Sequence, residues 1–332
     1  MVIKVMKKRG SAFLIMVILL LVVVAVSISV GSVSVPIRQI IDSVINGTGG
    51  SGGIVRDIRI PRVVMGLLVG ANLAVAGVLL QGVMGNPLAD PGITGISSGA
   101  SVVVMLVMLY FPKASASIPL YGFVGSMLAC SIIYLLAWKD GIAAIRIILA
   151  GVAVNAVLGG VTSMISILNS ENLTGVLSWL NGNLGKKGWS DVRMLLIYTM
   201  VGLVCVIPLS KSCNLLALGD KNAKSLGYNP NVLRILISLV AVFLAGISTA
   251  YVGVIGFIGL VVPHISRMIM GTDHKVLLPF SALLGSTLLV LADTLGRTIT
   301  APYEIPVGIV MTIIGGPFFL YLLRKDQRRY GH

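Results

Sequence analysis

The chain has 332 residues, of which 11% are charged and 56% hydrophobic, with a mean hydropathy of +1.01. Soluble domains carry roughly 25% charged residues, and a water-exposed fold could not hide this much apolar surface. The composition excludes a disordered tail, a secreted disulfide scaffold and a conventional cytosolic enzyme, and makes lipid the main solvent. The formal net charge of +14 is carried by basic residues placed between apolar runs, the pattern of a polytopic membrane protein rather than of a nucleic-acid binder. Cys130, Cys205 and Cys213 form no CxxC pair and read as unpaired residues packed among helices.

Crossing the hydrocarbon takes about 20 apolar residues as a helix. The first such run, Ala12–Val30, follows Lys4, Lys7, Lys8 and Arg9 and has no small-residue cleavage site; it reads as a retained span with a cytoplasmic N-terminus. Next comes a long external segment. Its Pro36–Ile45 stretch could form a short interfacial helix ahead of the Gly/Ser-rich Asn46–Gly53. Further spans are predicted over Val63–Val83, Gly92–Phe111, Ile118–Ala137, Ile147–Leu168 and Met194–Ser210, then Ile235–Ala250, Val254–Met270, Val276–Ala292 and Ile305–Leu323. The interval between Arg234 and Arg267 is too long for one span and is split where Gly246, Gly253, Gly256 and Gly259 fall. Trp179 and Trp189 lie in the external segment Asn169–Asp191 as candidate interface anchors.

This gives ten spans, both termini cytoplasmic, and a single transmembrane domain over 1–332. Sixteen of the 25 Lys and Arg residues fall inside and nine outside, in the expected sense. The bias is weakened by an outward cluster, Arg56, Arg59 and Arg62, which topology does not explain.

The chain has no GxxxxGK[ST] phosphate loop, no HExxH, and no carboxylate pair within a span. Ion-driven carriers usually bury an ionisable residue at mid-membrane. No obvious one is present; Asp293, beside Arg297, is the deepest candidate. That pattern argues for energy supplied by a partner and against an ion-coupled secondary carrier or an intramembrane enzyme. His264 and His274 fall near the cytoplasmic ends of spans and read as structural, and no metal site is predicted.

The stretch Ile60–Ala100 carries the most information. Gly66, Gly70, Ala74 and Gly77 give one smooth helix face for close packing. Asn86-Pro87 and Asp90-Pro91 force turns, and Gly92, Gly95 and Gly99 then open a new span. A second glycine run, Gly253–Leu260, also opens a span five spans later, as an inverted repeat would require. Asn72, Asn155, Thr162, Ser163, Met164 and Ser166 are polar or soft residues within spans that could line a path.

The string Arg59-x-Pro61-Arg62, Gln81, Asn86-Pro87-Leu88-Ala89-x-Pro91, Gly95 and Gly99-Ala100 resembles the FecCD family of permeases. These are membrane subunits of ATP-binding-cassette importers for ferric siderophores, haem and cobalamin. Further matches run in order to Gly315-Gly316-Pro317-Phe318: Leu149–Val152, Trp179 with Asn181–Asn183, Leu218-Gly219-Asp220 with Ala223 and Leu226-Gly227, Gly256–His264, and Glu304–Gly308.

The resemblance implies an all-α type II importer permease fold, working as two copies with two ATPase subunits inside and a substrate-binding protein outside. It places the chain in a bacterial or archaeal cytoplasmic membrane. Arg59, Arg62 and Arg297 would dock the binding protein. The loop of about 211–229, with Leu218, Gly219, Asp220, Ala223, Leu226 and Gly227, would couple to the ATPases. Asn86, Pro87, Pro91, Gly92, Gly95, Gly256 and Gly259 would form turns and gates. The chain itself would hold no cofactor, ATP and Mg belonging to the ATPases. A ferric siderophore is the expected cargo, with haem or cobalamin as alternatives.

Overall fold

A computed structural model of the chain describes residues 2–31, 52–139, 143–185 and 187–330. The expected interfacial helix at Pro36–Ile45, and the Gly/Ser-rich stretch up to Ser51, lie outside them. No strand occurs among the described residues. The helices are α1 (Val2–Ser29), α2 (Ile60–Met84), α3 (Ile96–Tyr110), α4 (Ile118–Ala137), α5 (Ala144–Leu168), α6 (Thr174–Leu180), α7 (Trp189–Ala217), α8 (Asp220–Ser225), α9 (Pro230–Val252), α10 (Ile258–Met270), α11 (His274–Gly296) and α12 (Val307–Tyr330).

Seven of them are long and apolar enough to cross a membrane, and three shorter apolar helices, α3, α10 and the Val307–Tyr321 part of α12, complete the predicted ten. The alternation of crossings leaves α8 and both termini on one side and α6 on the other. The helices overrun the predicted spans: α7 continues through Lys211 to Ala217, so the first third of the expected inner loop is helical.

The core is organised around α2. Its most apolar window is 78% buried, against 11% for α5 and 17% for α1. A helix apolar on every side belongs inside, and the small residues of α2 decide how close its neighbours come. A Cβ on Gly70 would land on the carbonyl oxygen of Gly285 in α11, and one on Gly77 on that of Gly259 in α10. The smooth face read from the sequence is thus a pair of backbone crossings. Among lipid-like partners, close approach is the main source of helix association.

The predicted break between spans is confirmed at Gly253–Phe257, between α9 and α10. Gly246 and Gly259 belong to helices instead. Their neighbours explain this: Gly246 lies against Phe123 and Ser126 of α4, and Gly259 against Gly77 and Pro91. Both serve packing rather than turning.

Candidate functional site

Three polar places stand out in this apolar bundle. At the end of the bundle predicted to face outward, Arg59, Arg62 and Arg297 come together inside the protein, at 5, 7 and 3% exposure. Arg62 grips Asp293 through Nε at 2.9 Å and Nη2 at 2.9 Å, and reaches Glu304 through Nη1 at 2.7 Å. Arg59 Nη1 donates to the carbonyls of Ile28 and Ser29 at 2.8 and 2.9 Å. Arg297 Nη2 donates to the carbonyl and the hydroxyl of Ser27, while its Nε lies 3.7 Å from Asp293.

The local reason is a helix end. The last carbonyls of α1 have no partner within the helix, and cations satisfy such ends. Arg59 and Arg297 therefore pin α1 to α2 and α11. Arg56 and Arg193 are exposed cations on this face and flank Trp189; Trp189 donates its Nε1–H to the Arg56 carbonyl at 2.9 Å. Surface presentation of the three matched arginines is the part of the sequence reading that the tertiary structure changes. Burial requires partners; those of Arg62 come from over 200 residues away, and Arg297 adds the Ser27 carbonyl of α1 to Asp293, one turn away in its own helix.

In the middle, two interrupted helices meet. The turn Gly85–Asp90 leads through a 3-10 turn, Pro91–Thr94, into α3, with Gly95 at φ 76°. The stretch Gly253–Phe257 leads into α10, with Phe257 at φ 67°. The two sequence runs singled out as a repeat are brought together: a Cβ on Gly259 would lie 2.6 Å from Pro91 Cδ. Asp90 caps its turn by accepting from the Gly92 N–H at 2.8 Å. Asn86, Pro87, Pro91, Gly92, Gly95 and Gly256 all lie in or beside these junctions, whereas Gly259 is the second residue of α10. On the outer side, the turn after α6 crosses the same break. Asn183 N–H donates to Val252 at 2.7 Å, and Gly308 N–H to Gly182 at 3.3 Å.

At the opposite end, predicted to face inward, a cavity of about 650 Å³ is lined by Asn86, Pro87, Leu218, Gly219, Arg267 and His274, among others. Gln81 ties its roof: its Nε2 donates to the Ala89 and Gly259 carbonyls, each at 3.2 Å, and its Oε1 accepts from Arg267. Asn214 joins α7 to α11, donating to Asp273 at 2.8 Å and contacting His274 Nδ1 at 2.7 Å. The Asp273 carboxyl is held below its ordinary value mainly by that Asn214 amide and then by the Lys275 N–H. The roles of Gln81, Arg267 and Asn214 as ties escaped the sequence reading. Their only signal was a polar residue near the end of a span.

Beside this cavity stands α8. Gly219 and Gly227 bracket it at φ 87° and 82°. Gly227 N–H returns to Lys224 at 2.9 Å and Tyr228 N–H to Ala223 at 3.1 Å, a Schellman end that only a left-handed residue closes cheaply. Asp220 is gripped by Arg234 of α9 at 2.8 and 3.0 Å. Ala223 is buried, while Leu218, Leu226 and Tyr228 are 55, 57 and 49% exposed. Exposed apolar tips on a rigidly held short helix make a surface for a partner.

Among the described residues, no group of three or more His, Cys, Asp or Glu side chains could hold a metal ion. The chain belongs to the FecCD transport family, whose pattern it matches over residues 19–325. It is accordingly a multi-pass cytoplasmic-membrane permease subunit of an ABC importer, without an ATPase site of its own.

It is 44% identical over 274 residues to the Fe(3+)-citrate import system permease protein YfmD of Bacillus subtilis, covering 82% of each chain. It is 39% identical over 298 residues to the probable heme-iron transport system permease protein IsdF of Staphylococcus aureus, covering 90% of each. Among solved structures it resembles an inward-facing metal-chelate type ABC transporter at TM-score 0.86 and 29% identity, covering 95% of this chain and 99% of that one.

Proposed function

We propose that this permease carries a ferric chelate, a ferric siderophore or ferric citrate, across the cytoplasmic membrane after delivery by an external binding protein. The observation that carries the reading is the 44% identity to a ferric-citrate permease. Haem is the second reading, favoured by the 39% identity to a haem-iron permease. Two copies of the chain would form the path. The exposed face of α5 supports this, since Leu149, Val152, Val157 and Ile167 are more than half exposed.

The binding protein would dock on the outer face built by Arg59, Arg62 and Arg297. The direct contact with its acidic residues would fall to exposed Arg56 and Arg193. Three guanidinium groups against Asp293 and Glu304 leave one positive charge, which would add to the field there.

Two partner ATPase subunits, holding ATP and Mg, would receive α8 through Leu218, Leu226 and Tyr228. Motion of α8 would reach α9 through the Asp220–Arg234 pair and α11 through Asn214 of α7. The Gln81–Arg267 tie would carry it to the junction of α3 and α10, where Asn86, Pro87, Pro91, Gly92, Gly95, Gly256 and Gly259 gate the path.

The test is uptake of radioactive iron as citrate and as a panel of siderophores, with haem and cobalamin alongside, in cells lacking and regaining the gene. Restored ferric-citrate or siderophore uptake supports the reading. Restoration of haem alone replaces it with the second reading, and no change for any cargo overturns both.

A further inference from the structure

The Asp90 carboxylate caps its turn but serves neither the docking nor the coupling surface. Asp90 sits where the interrupted helices meet and lines a small cavity of about 190 Å³ with Asn155, Ser97, Thr249, Gly256 and Gly259. Its depth follows from the helices around it. Asn155 is eleven residues into α5, about 17 Å at 1.5 Å per residue. Gly259 is eleven residues before the end of α10, again about 17 Å. The hydrocarbon is about 30 Å thick, so the cavity lies near mid-membrane.

Asp90 has no Lys, Arg or His at ion-pair distance among the described residues. One of its oxygens, Oδ1, accepts from the Gly92 N–H at 2.8 Å; Oδ2 has no donor among them.

Opposite it is a second unfilled acceptor. Asn155 Nδ2 donates to the carbonyls of Gly92 at 3.0 Å and Ile93 at 3.5 Å. Two carbonyls at one end of the amide fix which end carries nitrogen. The other end, Oδ1, is therefore oxygen, and it is fully buried with no hydrogen-bond partner. A buried acceptor without a donor is unfavourable, and Asp90, partly exposed, brings a negative charge to the same cavity. The Asn155 oxygen and the Asp90 carboxylate line one cavity, and a positive charge between them would serve both.

The donor set names the class. One carboxylate, an amide oxygen and the hydroxyls of Ser97 and Thr249 are hard neutral or singly charged oxygens. Ca²⁺ collects several carboxylates, and Mg²⁺ requires near-ideal octahedral geometry; soft thiolate and imidazole ligands are missing from the lining. Interrupted helices that turn backbone and side-chain oxygens inward at mid-membrane are the setting in which transporters hold Na⁺.

We propose that this cavity binds a small monovalent cation, with Na⁺ as the probe, between the Asp90 carboxylate and the Asn155 amide oxygen. The bound ion neutralises the carboxylate and ties α5 to the start of α3 at the junction. The inference is independent of which chelate is carried.

The test uses the full-length chain in lipid nanodiscs. Binding of ²²Na⁺ is followed by scintillation proximity, and thermal unfolding is compared in NaCl and choline chloride at equal ionic strength. The expected result is saturable ²²Na⁺ binding that unlabelled Na⁺ displaces and choline does not, with a matching Na⁺-dependent rise in Tm. Asn155→Ala should raise the half-saturating concentration on the order of 10-fold. Asp90→Asn should abolish binding; if that variant does not fold, Asn155→Ala and Thr249→Val decide. Absence of saturable binding in the unaltered chain, or binding unchanged in every variant that folds, overturns the proposal.

Discussion

Replacing Asp293 and replacing Arg62 should have unequal costs, although the two are partners. Asp293 is 2% exposed and serves two guanidinium groups, Arg62 at 2.9 Å and Arg297 at 3.7 Å. Asp293→Asn leaves Arg297 with no carboxylate and Arg62 with Glu304 alone. Stranding buried charge in this way costs about 3–5 kcal/mol. Arg62→Met leaves Asp293 beside Arg297 and releases Glu304, whose side chain is 41% exposed, to water. The loss is then of charge-assisted hydrogen bonds, about 1.5–3 kcal/mol.

The assay is unfolding of the purified chain in mixed micelles of rising SDS fraction, which reads the difference directly. Asp293→Asn should be the weaker protein by roughly 2 kcal/mol. Equal losses, or a larger loss for Arg62→Met, would refute the account in which Asp293 is the hub of the outer cluster.

Other expectations follow from the same geometry. Gly77→Val drives a side chain into the Gly259 carbonyl and should cost about 3 kcal/mol or more, read as lost folded yield. Gly227→Ala meets no atom within 4 Å and should cost only about 1 kcal/mol from its φ of 82°. Leu226→Asp should leave Tm unchanged while ending co-purification with the ATPase subunit. The charge reversals Arg56→Glu and Arg193→Glu should slow binding-protein association about 10-fold at low salt, with the difference shrinking as salt screens it. Asp273 has a depressed folded pKa, so its stabilisation is present above the unfolded value of 3.8 and is lost as pH falls through the folded one. Asp273→Asn should therefore flatten the acid limb of a stability profile.

Much of this protein was legible one residue at a time. Span positions follow from apolar runs because lipid offers the backbone no partner other than its own helix. The turns at Asn86-Pro87 and Asp90-Pro91 follow from proline sterics, and the ends of α8 from Gly219 and Gly227. The family pattern is written in order along the chain, so the class of protein was readable before any contact was known. The break between α9 and α10, predicted between Ala250 and Val254, falls a few residues later, at Gly253–Phe257, since a glycine that turns the chain and one that lets helices touch look alike in sequence.

What the sequence by itself determined is the solvent, the number of crossings and the family. Tertiary structure decided which charges are exposed and which are buried. Arg59, Arg62 and Arg297 carry an outward position in the sequence, but their partners, Ser27–Ser29, Asp293 and Glu304, lie mostly hundreds of positions or several spans away. Asp90 likewise reads as a turn residue. Only the meeting of α3, α5 and α10 places it at mid-membrane opposite an unfilled Asn155 oxygen, because burial and electrostatic partnership depend on distance in space and not on distance along the chain.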